Sequence, residues 1–255
     1  MYAEERQQAM VELVTEHGRL SVAAIAAQFD VTTETVRRDL SALERMGLLR
    51  RVHGGAVPAS SLAVIEAGLG ERDQANTAQK ELIAKAAIDQ LPPAGGTVLL
   101  DAGTTTARFA GMLPRDHRLT VITHAVPIAA RLAVQPQIEL YLLPGRVRTT
   151  TQAAVGADTV AALAPLRVDV AFLGTNGITL GHGLSTPDHD EAAAKRAMVT
   201  AARLVVCLAD SSKVGSETAI RFAGLDEVDV LLTDSGIDAT DRAAFEDAGT
   251  EVVVA

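Results

Sequence analysis

Residues 31–57 read VTTETVRRDLSALERMGLLRRVHGGAV. On a wheel of about 100° per residue, Val36, Leu40, Leu43 and Gly47 fall on one face, and Glu34, Arg38, Ser41 and Arg45 on the opposite one, with Arg37 on the flank. The spacing therefore predicts a helix with an anchoring side and a side of cations and hydroxyls. Thr32 suits its N-cap, because a hydroxyl there can accept from a free amide of the first turn, and Glu34 suits the positive end of the helix dipole. After Gly47, LLRRVHGGAV alternates apolar and basic residues and breaks at Gly54 and Gly55, which predicts a small hairpin.

Working outward, residues 4–17 carry Ala9, Met10, Leu13 and Val14 at helical spacing, and Gly18 ends the run. Ser21 caps a second helix with Val22, Ile25, Ala26 and Phe29 on one face, and Asp30 and Val31 form a tight turn before Thr32. Two short helices joined by such a turn, followed by a basic hairpin, make a winged helix-turn-helix. A recognition helix lies in the major groove with its N-terminal residues toward base edges, so Thr32, Thr33, Glu34, Thr35, Arg37, Arg38, Ser41 and Arg45 are the expected DNA contacts. Arg50, Arg51 and His53 of the wing would touch phosphates, which adds affinity and register rather than sequence information.

The overall charge at first argues against that reading. The 255 residues carry a formal net charge of -9, which disfavours indiscriminate nucleic-acid binding. Yet residues 1–58 hold only -1 of it and the remainder -8, and within residues 37–53 five arginines face only Asp39 and Glu44. A local basic patch sits inside an acidic chain. The single cysteine, Cys207, lies in the apolar run LVVCLA, so it reads as a buried thiol in a reducing compartment. No run approaches the roughly 20 apolar residues of a membrane span and no signal peptide is evident, so a cytoplasmic protein is expected.

Residues 59–77 are small and glycine-punctuated and read as a linker, which sets domains at 1–58 and 78–255. Past it, helix and strand patterns alternate: helices over 78–90, 105–113, 125–134 and 188–202, and strands over 97–102, 119–123, 138–144, 168–174, 203–210, 228–234 and 251–255. Several strands are near-continuous apolar runs, the pattern of a mostly parallel sheet covered by helices on both faces. The fold class is therefore α/β, with an N-terminal winged helix.

Polar, glycine-rich stretches follow these strands, where open α/β sheets bind ligands. DAGTTT places Asp101, Gly103, Thr104, Thr105 and Thr106 at a helix opening, a ready cradle for phosphate. Asn176 lies in the loop LGTNGIT, and Glu191 and Lys195 stand four apart on one helix face, where an exposed ion pair is the plain alternative. Asp210 and Lys213 in ADSSKVG offer an acceptor for sugar hydroxyls and a cation for phosphate. Three anion-friendly elements at one sheet edge suggest a phosphorylated polyol.

The stretch 31–57 closely resembles the winged helix of the DeoR family of bacterial transcriptional regulators. Roughly residues 71–255 resemble the family's sensor domain, through Arg72, Lys80, Asp101 to Thr106, Asn176 with Gly177, Glu191 with Lys195, and Asp210 with Lys213. That resemblance implies a fold like ribose-phosphate isomerases and CoA-transferases, a sugar-phosphate effector and operator DNA as partner; a dimer or tetramer is expected because paired half-sites roughly double the contacts of one small module, and no cofactor or metal is assigned. It also brings in Thr123, although His124 stands where the family commonly has Asn, so His124 itself reads as an ordinary core or surface histidine. A weaker similarity of MYAEERQQ, ETVRRDL and LLRRVHGGAVP to actinobacterial regulators of fructose uptake makes fructose 1-phosphate the first-choice effector of a repressor. The rival class is a sugar-phosphate isomerase in which Glu191 or Asp101 moves a proton while Lys213 holds phosphate; no catalytic residue is assigned, since an isomerase has no need of a winged helix. The six histidines show no spacing that converges on zinc.

Overall fold

The computed structural model describes residues 3–17, 20–52, 55–58 and 68–255, without the side chains of Glu4, Arg50, Arg51 and Val52. The chain divides into two compact units, residues 1–64 and 65–255. Among the described residues no helix is long and apolar enough to cross a membrane.

In the first unit, α1 (Ala3–His17), β1 (Leu20–Ser21), α2 (Val22–Phe29) and α3 (Thr33–Arg45) precede a hairpin of β2 (Leu49–Val52) and β3 (Gly55–Pro58). The caps fall where the sequence places them. Ser21 accepts from the Ala24 amide at 3.1 Å, and Thr32 from the Thr35 amide at 3.2 Å. Asp30 closes α2 in the left-handed conformation, φ 50°. Met10, Val14, Ile25, Val36, Leu40, Leu43 and Leu49 form one core, each worth roughly 1.5–3 kcal/mol when fully buried. β3 pairs with both β1 and β2. Gly55 lies opposite Ser21, so close to β1 that a Cβ would fall 2.1 Å from the Leu20 carbonyl oxygen. Only glycine fits there without moving a strand.

The second unit runs α4 (Leu69–Gln74), α5 (Thr77–Ala86), β4 (Thr97–Leu100), α6 (Thr104–Met112), β5 (Leu119–Thr123), α7 (Val126–Leu132), β6 (Ile138–Leu142), β7 (Arg146–Arg148), β8 (Ala153–Val155), α8 (Ala157–Leu163) and β9 (Val168–Leu173). It continues with β10 (Gly177–Thr179), β11 (Gly183–Thr186), α9 (His189–Ala201), β12 (Ala202–Leu208), β13 (Ile220–Ala223), β14 (Val230–Thr233), α10 (Ala239–Asp247) and β15 (Glu251–Val254). Residues 69–77, inside the stretch read as linker, form α4 and the start of α5 and make their contacts within this unit.

Seven parallel strands order as β15-β14-β12-β9-β4-β5-β6. Alternation fills both faces. Val98, Leu100, Val170, Phe172, Val206 and Leu208 pack with Ile83, Phe109 and Ile128 of α5, α6 and α7. Leu99, Ala171, Leu173, Val205 and Cys207 pack with Leu163, Met198 and Phe245 of α8, α9 and α10. The period of two along each strand sends successive residues to opposite cores, and burial pushes the Cys207 thiol up to about 12. From β4 the chain winds outward to β5 and β6, then returns to β9 on the other side of β4. That reversal is the switch point at whose carboxyl edge open α/β sheets bind ligands.

Candidate functional site

In the first unit, α3 buries Val36, Asp39, Leu40 and Leu43 and exposes Thr32, Thr33, Glu34, Arg37, Arg38 and Arg45, with Thr35 and Ser41 half-buried. Asp39 belongs to the core side although it is charged. Arg6 Nε of α1 donates to its Oδ2 at 2.7 Å and Gln7 Nε2 to its Oδ1 at 3.0 Å, which ties α1 to α3. The acid next to the arginine pair therefore does not face the basic patch. Arg37 leans toward Glu34 at 3.4 Å, so that cation has a compensating acid the sequence reading overlooked. Arg38 has no hydrogen-bond or ionic partner among the described residues, and Arg45 donates to the Ser41 carbonyl at 3.3 Å. Arg50 and Arg51 lie on β2 with their side chains outside the description, and His53 lies outside the described residues.

The second unit gathers its charges at the carboxyl edge of the sheet. Asp101 follows β4 and is fully buried. It accepts from Lys195 Nζ and, at 2.8 Å, from the Gly174 amide just beyond β9. Burial by itself would push the Asp101 carboxyl up, but the Lys195 ammonium and then His124 outweigh it and hold the group well below the usual carboxylate range. Lys195 also donates to the Gly174 carbonyl at 3.0 Å, and its Nζ lies 3.9 Å from Glu191 Oε1. The plain reading of Glu191 and Lys195 as an exposed pair is thus incorrect: each is 2% exposed, and Lys195 is held mainly by a residue 94 positions away. Glu191 in turn accepts from Arg148 Nη1 at 2.6 Å, and Arg148 Nε lies 3.3 Å from Asp188, the N-cap of α9.

His124, read as an ordinary histidine, is part of this cluster. Its Nδ1 donates to the Ala154 carbonyl at 2.8 Å, since a carbonyl can only accept. Its Nε2 lies between the Ala102 amide at 3.1 Å and Asp101 Oδ1 at 3.0 Å. When neutral it accepts from the amide; when protonated it donates to the carboxylate. Thr123 spends its hydroxyl on the backbone, donating to the Leu100 carbonyl at 2.7 Å and accepting from the Ala125 amide at 3.1 Å, so it holds the β4–β5 corner.

Thr104, Thr105 and Thr106 open α6 and are buried; Thr106 donates to the Gly103 carbonyl at 3.0 Å. Gly103 has φ +155°, a conformation other residues rarely adopt, and it lets the chain turn from β4 into α6. Asn176 is half-buried, and its side-chain amide has no partner among the described residues.

A second cluster lies beyond β12. Asp210 accepts from Asn76 Nδ2 at 2.8 Å and from the Ser212 amide at 3.3 Å. Lys80 of α5 donates to the carbonyls of Arg72 and, at 2.6 Å, Ala75. Burial lowers its ammonium to about 8 against the upward pull of Asp210, with Lys213, Arg108 and Arg72 adding to the lowering. Burial lowers Lys213 as well, opposed by Asp210 and reinforced by Arg72. Arg108, one turn along α6 from Thr104, pairs with Asp73 of α4. Four cations thus act on one another here with few acids between them. Arg108, Arg148, Asn76 and His124 were not singled out in the sequence as site residues, and their partners, 23 to 134 positions away, leave no local pattern to read.

The DeoR-like helix-turn-helix domain matches residues 6–61 and the DeoR C terminal sensor domain residues 75–235. The HTH-type transcriptional regulator GlpR of Haloferax volcanii is 38% identical over 253 residues, covering 99% of this chain and 98% of that protein. An uncharacterized HTH-type transcriptional regulator FruR of Bacillus subtilis is 34% identical, with 92% of each chain covered. The glycerol-3-phosphate regulon repressor of Escherichia coli is 31% identical over 91% of this chain and 90% of its own. Among solved structures, ribose 5 phosphate isomerase A from Neisseria gonorrhoeae overlays on 54% of this chain and 53% of its own, with a TM-score of 0.39 and 16% identity. The three sequence relatives carry the names of transcriptional regulators or repressors, and the chain belongs to the DeoR family of DNA-binding transcriptional regulators.

Proposed function

We propose that this regulator is a repressor of sugar-metabolism genes that leaves its operator when a phosphorylated sugar binds the carboxyl edge of the seven-stranded sheet. Residues 1–58 serve as the DNA-binding module and residues 78–255 as the core of the sensor. Thr32, Thr33, Glu34, Thr35, Arg38, Ser41 and Arg45 face base edges, while Arg37, Arg50, Arg51 and His53 meet the phosphate backbone. The protein acts in the cytoplasm as a dimer or tetramer, since paired half-sites roughly double the contacts one small module makes.

The observation that carries the sensing half is the state of the polar groups at that edge. Asp101, Lys195, Glu191 and Asp210 are paired, whereas the Lys213 ammonium and the Asn176 side-chain amide have no hydrogen bond or ion pair among the described residues. A half-buried ammonium with no salt bridge, whose nearby Asp210 is also engaged by Asn76 and Ser212, favours a phosphate alongside Lys80, Arg72 and Arg108. Gly103, Thr104, Thr105 and Thr106 open α6 on the same edge, and Thr123 fixes the neighbouring corner.

Fructose 1-phosphate is the first-choice effector. The fructose-regulator similarity of the N-terminal stretch supports it, as does the name of the Bacillus relative, while the Escherichia relative supports glycerol 3-phosphate as the next. A thermal-shift series of the full chain against phosphorylated sugars tests this. A ligand at 100 times its dissociation constant adds about 2.7 kcal/mol to the folded state. Fructose 1-phosphate is expected to raise the unfolding midpoint and Lys213→Ala to abolish the rise; a flat response across the series contradicts the sensing reading.

A further inference from the structure

We infer that Thr151 and Thr186 receive hydroxyl groups of the ligand's sugar, at the α9 end of the sensor site. The inference rests on the sensing reading above and adds residues to which neither the sequence motifs nor the cation cluster gave a role.

Thr151 is 3% exposed and Thr186 fully buried, and neither Oγ1 has a hydrogen-bond partner among the described residues. Native proteins seldom bury a hydroxyl that way, and each instance calls for a partner. Their location suggests which partner. Thr186 ends β11 two residues before Asp188, the cap of α9 that pairs with Arg148. Thr151 sits in the β7–β8 turn three residues after Arg148, whose guanidinium holds Glu191. Two and three residues span at most about 7 and 11 Å of chain. Both hydroxyls are therefore tethered to the Arg148–Asp188–Glu191 cluster, which reaches Asp101 through Lys195. Thr218, Thr233 and His182 also leave buried polar atoms unpaired, but none lies within three residues of that cluster.

The two ends of the site differ in chemistry. Beyond β12, cations stand in excess and suit an anion. At α9 the charges are paired, with two cations against three carboxylates and no excess of positive charge: Arg148 with Asp188 and Glu191, Lys195 with Asp101. The polar groups without partners there are neutral hydroxyls, which both donate and accept and so match an alcohol rather than a phosphate. A sugar phosphate has one end of each kind.

The test is isothermal titration of the full-length chain with fructose 1-phosphate, glycerol 3-phosphate and inorganic phosphate, together with thermal unfolding of the unliganded protein. Thr186→Val and Thr151→Val are each expected to weaken the sugar phosphate that binds by about three- to tenfold, the loss of one neutral hydrogen bond. Thr186→Ser, which keeps the hydroxyl, should bind like the wild type, and inorganic phosphate should bind all variants within about twofold of one another. Unliganded midpoints of the valine variants should equal or exceed that of the wild type, because no protein partner is lost. Unchanged sugar-phosphate affinity in the valine variants overturns the inference. So does equal weakening of inorganic phosphate, or a lower unliganded midpoint, either of which assigns the hydroxyls a structural role. If no sugar phosphate binds the wild type, the sensing reading itself fails and this inference with it.

Discussion

α3 and α9 are both thirteen-residue helices with a side-chain N-cap, and they treat charge in opposite ways. α3 turns Arg37, Arg38 and Arg45 to solvent, while α9 turns Glu191 and Lys195 inward. The difference lies in where the balancing charge comes from. A buried lysine must find its anion inside the protein, and Lys195 finds Asp101 across the sheet edge. An exposed arginine needs no internal partner and stays available to a polyanion in solution. Charged residues are thus buried and paired on one helix and left open to solvent on the other.

Lys195→Met breaks the α9 side of that contrast and has the largest expected effect. It strands the Asp101 carboxylate in the core, so denaturant unfolding of the second unit should lose about 3–5 kcal/mol. A loss below about 1 kcal/mol would mean the pair is not what balances Asp101. Asp39→Ala tests the one inward charge of α3. Removing the acceptor of Arg6 and Gln7 should cost about 2–3 kcal/mol, read from unfolding of the first unit.

Arg38→Ala should leave stability within about 0.5 kcal/mol yet weaken operator binding by about 1–3 kcal/mol. Arg37→Ala should cost less, since Glu34 already compensates that cation. Equal loss on operator and random DNA for Arg38→Ala would contradict base reading. The smallest expected effect is a pH dependence. The Lys80 ammonium sits at about 8 in the free protein, and a bound phosphate favours its charged form, so binding takes up a proton above pH 8. Effector affinity should then fall as pH rises from 7 to 9, by up to about tenfold; a flat titration would place the phosphate away from Lys80.

What could be read from the sequence divides along the same line. Ser21 and Thr32 cap helices through amides three residues away, and the seven strands of the parallel sheet announce themselves as largely apolar runs, so both were legible. The β7–β8 hairpin was not, because strands of three residues carry too little alternation to stand out. Residues 69–77 looked like linker because their partners, such as Arg108 for Asp73 and Asp210 for Asn76, are remote in sequence. The outward face of α3 could be drawn from its own periodicity. The burial of Glu191 and Lys195 could not, since an i,i+4 spacing looks the same whether the helix face meets water or a carboxylate 94 residues away.

The proposed repressor reads DNA with α3 and gives it up to a sugar phosphate held at the sheet edge. The most direct measurement selects a binding sequence from random duplexes with the full-length protein, then follows fluorescence anisotropy of that duplex as fructose 1-phosphate is added. The expected result is an enriched operator that is bound tightly and released by the sugar phosphate, with Lys213→Ala binding equally well but no longer released. An enriched operator that stays bound in the presence of every phosphorylated sugar tried, or no enrichment at all, would contradict it.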